Sequence, residues 1–291
     1  MYQYLRNLTA EQQVSALFIS VFGLLFLIHV TVFLLSLRER GESPEADRVR
    51  ARLDEARALL RTSWAMVIVF WVGWVSGDAV ATVLFAIVAF FALREFITLS
   101  PTRRGDHRSL VLAFFVVLPI QFWLVANRHF DLFTVFIPVY VFLAIPVVSA
   151  LADDPQRFLE RNAKLQWGIM VCIYGMSHVP ALLLLEFKNW TDRGAFLVFF
   201  LVFVVQIGTL VQHVVSRRWP RPPRAPNVSQ SFNWTSWAAG VAAGVVLGAL
   251  LSGITPFKPG QAMAMALIAC VAGSMGHLVM KALKRDRGVP N

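Results

Sequence analysis

The feature that most constrains this chain is a series of apolar stretches, each about 18–22 residues long and able to cross a ~30 Å hydrocarbon core. Backbone groups in that core find no water, and a helix satisfies their hydrogen bonds within one segment. A membrane β-barrel needs short segments of alternating polarity, and the runs 110–126 and 195–215 do not alternate. Charged residues make up only 15% of the chain. The sequence therefore predicts an all-α, polytopic integral membrane protein.

About nine stretches qualify as transmembrane helices. They cover roughly 14–36, 63–76, 79–99, 109–126, 132–151, 167–186, 195–216, 237–254 and 262–283. The second stretch is short, and Gly77-Asp78 separates it from the third. This pair is therefore either two crossings or one broken, re-entrant hairpin.

The basic residues indicate how the chain is oriented. Most of the 27 Lys and Arg residues lie in 37–62, 100–108, 152–166, 217–236 and the C-terminal end, which all fall on one side of nine crossings. The positive-inside rule then places the N-terminus outside and the C-terminus in the cytoplasm, as in a bacterial inner membrane. The net charge of +10 thus reflects topology and contact with anionic lipid, with no nucleic-acid partner. Cys172 and Cys270 fall inside spans and indicate neither a disulfide framework nor a zinc site.

Two loops and one glycine repeat have distinctive patterns. Segment 44–62 predicts a short amphipathic helix, either solvated or lying on anionic headgroups. Segment 217–236 contains four prolines that forbid a regular helix, together with Arg221, Arg224 and two tryptophans. Gly240, Gly244 and Gly248 recur every four residues and predict close packing of a neighbouring helix.

Polar residues gather near one membrane boundary. His277, Lys281 and Lys284 share a face of the last predicted helix. Gln212 and His213 lie late in the seventh stretch, and the proline loop connects that stretch to the next. Ionisable groups inside a span are costly, so they are candidates for function. A site joining a lipid to a soluble anion belongs at this depth.

The C-terminal third ends in a motif-like stretch that contains Gly276, Lys284, Arg285, Asp286, Gly288 and Val289. These positions match the pattern G-D-x-x-x-S-x-x-K-R-x-x-G-x-K-D, and in this pattern the ending resembles the phosphatidate cytidylyltransferases. The stretch APNVSQSFNWTS resembles the family's A-P-x-x-S-P-x-K-T-W-E-G, with matches at Ala225, Pro226, Ser229 and Trp234. The likeness is best over 200–291 and weaker over 64–100.

This resemblance implies a reaction and a site. The family condenses CTP with phosphatidic acid to CDP-diacylglycerol and pyrophosphate, with Mg²⁺ as cofactor. It implies one membrane domain over 1–291, with divergent helices in 1–195 and a partial cytidylyltransferase-like region in 196–291. By analogy the catalytic residues are Lys284, Arg285 and Asp286. The implied substrate- or phosphate-binding residues are Ser229, Arg221, Arg224, Lys281 and Gln212. Asp286 and His277 are the candidate metal ligands, and a homodimer is compatible with the pattern.

Several positions depart from the family pattern. Thr209 stands where the family has the Asp of its N-D pair, His277 where it has the Asp after Gly276, and Lys281 where it has Ser. The family's H-G-G-x-x-D-R-x-D segment does not follow Asn291. Two interpretations stay open: a truncated copy of a divergent enzyme, or a degenerate paralogue that binds lipid or a partner without catalysis. A transporter has only the intramembrane His and Gln residues in its favour and shows no internal repeat.

Overall fold

The computed structural model describes residues 9–38, 44–99, 102–187, 190–229 and 232–288. Within these ranges the protein contains nine helices, some of them made of consecutive α-, π- or 3₁₀-helical segments. It also contains two isolated β-bridges and no strand. Two compact units divide the chain, Met1–Leu184 and Leu185–Asn291. The all-α prediction is therefore confirmed for the described residues.

The first unit contains six helices. They are α1 (Ala10–Arg38), α2 (Pro44–Val75), α3 (Asp78–Thr98), α4 (Arg104–Ala126), α5 (Phe130–Ala150) and α6 (158–183). Three of them contain a π-helical turn, at Ala113–Val117, Phe136–Val141 and Ile169–Gly175. The core lies between α3, α4, α5 and α6, where Ala89, Leu93 and Ile173 are fully buried.

The second unit contains three helices. They are α7 (Gly194–Arg218), α8 (Trp234–Leu250, continued by a 3₁₀ turn at Leu251–Ile254) and α9 (Pro259–Asp286). Helix α8 runs back between the other two, so α7 and α9 end at the same end of this unit as α8 begins. At the other end the rings of Phe187 and Phe200 contact Phe257.

Seven helices among the described residues are long and apolar enough to cross a membrane. They are α1, α3, α4, α5, α7, α8 with its 3₁₀ turn, and α9, and the protein is a multi-pass integral membrane protein. The predicted count of nine differs at two places. Segment 63–76 is the end of the long helix α2, whose apolar part Ser63–Val75 is short. Helix α6 carries Gln166, Ser177 and His178 within its apolar stretch and is not among the seven.

The predicted break at Gly77-Asp78 is confirmed. Gly77 has φ +83°, a conformation that costs glycine little and other residues more. The chain reverses there, and α2 packs on α3, since a Cβ on Gly73 would lie 3.6 Å from Ala81 Cβ. The helix predicted for 44–62 is also present, but α2 continues from it without interruption.

The predicted glycine contact surface of α8 is confirmed as well. Gly240, Gly244 and Gly248 are buried, and a Cβ at any of them would overlap a neighbouring helix. At Gly240 that Cβ would lie 2.9 Å from Gln212 Cβ on α7, and closer still to the Gly208 carbonyl oxygen. The glycines therefore let α7, α8 and α9 approach to backbone contact.

Buried charges connect two loops of the first unit. Arg161, whose side chain is 6% exposed, lies 3.0 Å from Asp106 and 2.5 Å from Asp154. It also donates to the Asp154 backbone carbonyl at 2.7 Å. The hydrogen bond from Arg161 to the Asp154 side chain holds the pKa of that carboxyl below its ordinary value, although desolvation opposes the shift. This cluster joins the start of α4 to the start of α6.

Candidate functional site

A polar cleft lies near the shared end of α7 and α9 in the second unit. Its empty volume is about 440 Å³, part of it open to solvent. The lining residues are Thr209, Gln212, His213, Ser229, Phe232, Ser274, His277, Leu278 and Lys281. Two helices and one loop therefore form its walls.

The first wall is one face of α7. Gln212 and His213 lie three and four residues after Thr209, so all three share one face of the helix. The close contact of Gly208 with Gly240 fixes this part of α7 against α8. The Thr209 hydroxyl donates to the Val205 carbonyl at 2.9 Å, so its lone pairs remain available to the cleft.

The second wall is one face of α9. Ser274, His277, Leu278 and Lys281 occupy positions i, i+3, i+4 and i+7. The indole N–H of Trp237 on α8 donates to Ser274 Oγ at 2.8 Å and fixes the depth of this wall. Both walls are thus positioned by contacts with α8.

The loop between α7 and α8 closes the cleft. As predicted from its prolines, residues 219–229 and 232–233 are not helical. The Ser229 amide donates to the Ala225 carbonyl at 2.8 Å, and the Arg224 amide donates to the Phe232 carbonyl at 2.9 Å. This turn buries Ser229 and Phe232 against the cleft, at 4% and 5% exposure.

Asn233 and Arg285 connect this loop to the neighbouring helices. The Asn233 side chain accepts from the Ser236 amide at 2.8 Å and caps the start of α8. From the end of α9, the Arg285 guanidinium donates to the Asn227 carbonyl at 2.5 Å. The loop is therefore tied to both neighbouring helices.

The structure brings four of the sequence-predicted site residues together. Gln212, Ser229, His277 and Lys281 all line the cleft. Arg221 and Arg224 are exposed on the loop outside the lining, where Arg221 donates to the Thr235 hydroxyl at 2.8 Å.

The predicted catalytic residues lie at the exposed end of α9 beyond the cleft lining. They are Lys284, Arg285 and Asp286. The Asp286 side chain is 67% exposed and pairs with Arg287 at 3.2 Å. Val289, Pro290 and Asn291 lie outside the described residues.

Sequence reasoning missed several lining residues. Ser274 precedes His277 by three residues and Lys281 by seven, so helical spacing alone could have identified it. Thr209 was noticed only as a replacement in a motif, and His213 only as a polar residue near the boundary. Phe232 and Leu278 carry no sequence signal, because an apolar lining residue looks like any other buried one.

The lining does not fit the Mg²⁺ that the resemblance implies. Mg²⁺ is bound by carboxylate and other oxygen ligands in octahedral geometry, and no lining residue is Asp or Glu. In the whole sequence after Asp192, the only acidic residue is Asp286. It lies nine residues after His277 on the same helix, about 14 Å along the axis, which is too far for one shared ion. No cluster of three His, Cys, Asp or Glu residues that could bind a metal occurs among the described residues.

Apolar helices long enough to span a bilayer, with a polar cleft at one end of the second unit, define a multi-pass membrane protein. Comparison with known proteins gives the family: the chain belongs to the cytidylyltransferase family, which it matches over residues 57–291. A relative from Escherichia coli (strain K12), "Uncharacterized protein YnbB", is 31% identical over 240 residues, which cover 81% of this chain and 77% of the relative. No solved structure matches the chain significantly. Family membership supports a nucleotidyltransferase type of function, and such enzymes are typically metal-dependent.

Proposed function

We propose that this protein is a phosphatidate cytidylyltransferase of phospholipid biosynthesis. In that reaction a phosphatidate oxygen attacks the α-phosphorus of CTP, giving CDP-diacylglycerol and releasing pyrophosphate. The observation that carries the proposal is the convergence of Gln212, Ser229, His277 and Lys281 on one cleft, within the region that matches the family.

The residues divide into those inside the cleft and those at its edge. Lys281 supplies a positive charge to phosphate oxygens, while Gln212 and Ser229 supply hydrogen-bonding groups. Lys284 and Arg285 are the next cations along α9, and they offset charge on the leaving pyrophosphate. Arg221 and Arg224 on the loop attract the anionic substrates toward the membrane surface.

The proposed topology is compatible with these substrates. Nine crossings, with α2 and α6 included, place the N-terminus outside and the basic loops in the cytoplasm. CTP then reaches the cleft from the cytoplasm, while phosphatidate approaches laterally from the inner leaflet of a bacterial inner membrane. We also propose a homodimer, which crosslinking in native membranes tests.

The direct test is product formation. The purified protein in phosphatidylcholine nanodiscs with phosphatidate is incubated with CTP labelled at the α-phosphorus, in parallel with and without Mg²⁺. We expect a labelled CDP-lipid whose formation falls at least tenfold in Lys281→Gln. Absence of labelled lipid above the level of empty nanodiscs, in both buffers, would reject the transferase proposal.

A second candidate is a lipid-binding protein without catalysis. The presence of a single carboxylate after Asp192 favours it, since family members rely on carboxylate-bound metal by resemblance. This candidate predicts that Asp286→Ala leaves a cellular phenotype of the wild-type gene unchanged. Loss of that phenotype in a stably expressed Asp286→Ala variant would count against it.

A further inference from the structure

The lining of the cleft contains one permanent cation and no anion. Lys281 is half-buried in the wall of α9, and it makes no hydrogen bond or ion pair with any residue that the structure describes. His277 lies one turn before it, and His213 faces both from α7. Lys284 and Arg285 continue the positive charge toward the end of the helix. A partly desolvated ammonium without a partner is costly unless an anion joins it.

The second unit contains few acidic residues that could pair with Lys281. Its acidic residues are Glu186, Asp192 and Asp286. The first two precede α7, whose 25 residues span roughly 37 Å, so they lie at the opposite end from Lys281. Asp286 is exposed and paired with Arg287. No acidic side chain of the second unit is therefore placed to act as the counter-ion of Lys281.

A bound divalent cation does not suit the same space. The available groups are hydroxyls, one amide and two imidazoles, which give neither the carboxylates of a Mg²⁺ site nor the three protein ligands of a zinc site, and Lys281 would repel an added positive charge. A phosphate instead suits the donors of this lining, because its oxygens accept hydrogen bonds from the Gln212 amide and the Lys281 ammonium at once.

We infer that this cleft binds a phosphate group without a divalent cation, with the Lys281 ammonium as the counter-ion. The identity of the phosphate, that of phosphatidate or of CTP, rests on the proposed function. Ser229 and Ser274 are uncharged polar residues of the lining, and Phe232 and Leu278 limit its width.

Equilibrium binding tests the inference directly. The full-length protein is placed in phosphatidylcholine nanodiscs, and either radiolabelled CTP or a fluorescent phosphatidate is titrated in EDTA and, separately, in Mg²⁺. We expect at least one ligand to bind with a Kd that differs by less than about threefold between the two buffers. The ligand that binds identifies the source of the phosphate.

Variants distinguish a direct contact between Lys281 and the phosphate from the general attraction of a basic protein surface. Lys281→Gln should weaken binding in EDTA about tenfold or more, since it removes a charge-assisted hydrogen bond. Lys281→Arg should restore most of the affinity. Lys258→Gln makes the same charge change at the exposed opposite end of α9 and should leave Kd unchanged. Equal thermal midpoints in detergent for all three variants confirm that each is folded.

The outcomes distinguish this inference from the proposed function. Binding that disappears in EDTA and returns with Mg²⁺ overturns the inference while leaving cytidylyl transfer intact. Binding that persists in EDTA without any CDP-lipid product supports the inference and rejects the transferase. Equal weakening by Lys258→Gln and Lys281→Gln, or no binding of either ligand to the wild type, also overturns it.

Discussion

The contact of α8 with α7 at Gly240 gives the sharpest quantitative prediction. Replacing Gly240 with alanine adds one methyl group, which would lie 2.9 Å from Gln212 Cβ and 3.3 Å from the Gln212 backbone nitrogen. The carbonyl oxygen of Gly208 would be closer still. These neighbours are main-chain or Cβ atoms, which no change of side-chain rotamer can move. The two helices must therefore separate.

The cost follows from the contacts that such a separation weakens. A gap of 0.5–1 Å removes about a quarter to a half of the dispersion energy of each affected atom pair. Overpacking by one methylene typically costs about 1–3 kcal/mol. Alanine also stabilises a helix by roughly 1 kcal/mol relative to glycine. This gain partly hides the cost of the clash when Gly240→Ala is compared with the wild type.

A second glycine supplies the correction for this gain. Gly23 lies in the middle of α1, and a Cβ there would meet nothing within 4 Å. Gly23→Ala thus gains helix propensity without a clash. We expect Gly240→Ala to be less stable than Gly23→Ala by about 1–3 kcal/mol. Unfolding in mixed detergent and SDS micelles, followed by tryptophan fluorescence, measures the difference.

Equal stability of the two variants would refute the reasoning. It would mean that α7 and α8 do not approach to backbone contact at Gly208 and Gly240. The position of Gln212 in the cleft would then lose its structural basis. A deficit confined to Gly240→Ala, accompanied by weaker ligand binding, would connect this packing to the site.

Two further predictions concern the charge cluster of the first unit. Arg161→Met leaves two carboxylates without their partner and should lower the free energy of unfolding by about 3–5 kcal/mol. The control Arg157→Met, at a side chain that is 76% exposed, should change it by less than about 0.5 kcal/mol. Equal losses of stability in denaturant titrations of the two variants would contradict this prediction. The pKa of Asp154 is lower in the folded state because of the hydrogen bond from Arg161, so its contribution is complete at neutral pH and is lost as the pH falls below about 4. Asp154→Asn should therefore flatten the acid limb of a stability-against-pH curve, and an unchanged limb would refute the assignment.

Local sequence signals predicted the parts of the fold that depend on local chemistry. The prolines of segment 217–236 disfavour a helix because each removes an amide donor, and residues 219–229 and 232–233 are indeed not helical. Gly77 separates α2 from α3 for an equally local reason, because glycine readily adopts the positive φ of this turn. The repeat at Gly240, Gly244 and Gly248 indicated helix contact, since small residues at this spacing let a neighbouring helix approach closely.

Features set by tertiary contacts were not predictable in this way. Arg161 was counted as an ordinary basic loop residue, because nothing in the sequence shows that Asp106 and Asp154 surround it. The polar stripe His277–Lys281 was found from helical spacing, but its partners on α7 were known only as polar residues late in a span. Thr209 joins them through the packing of α7 on α8, which no local pattern describes.

The separation of charge along the last three helices also has an electrical consequence. At one end of this unit the acidic Glu186 and Asp192 are offset by Arg193 and Lys258, so the excess of positive charge lies at the other end, with Arg217, Lys284 and Arg285. An elementary charge moved through a potential of 100 mV changes its energy by about 2.3 kcal/mol. In the proposed orientation the basic end of this unit faces the cytoplasm. A membrane potential that is negative inside favours this orientation over the inverted one. An energised membrane would thus help to hold the cleft toward the compartment that supplies its anions.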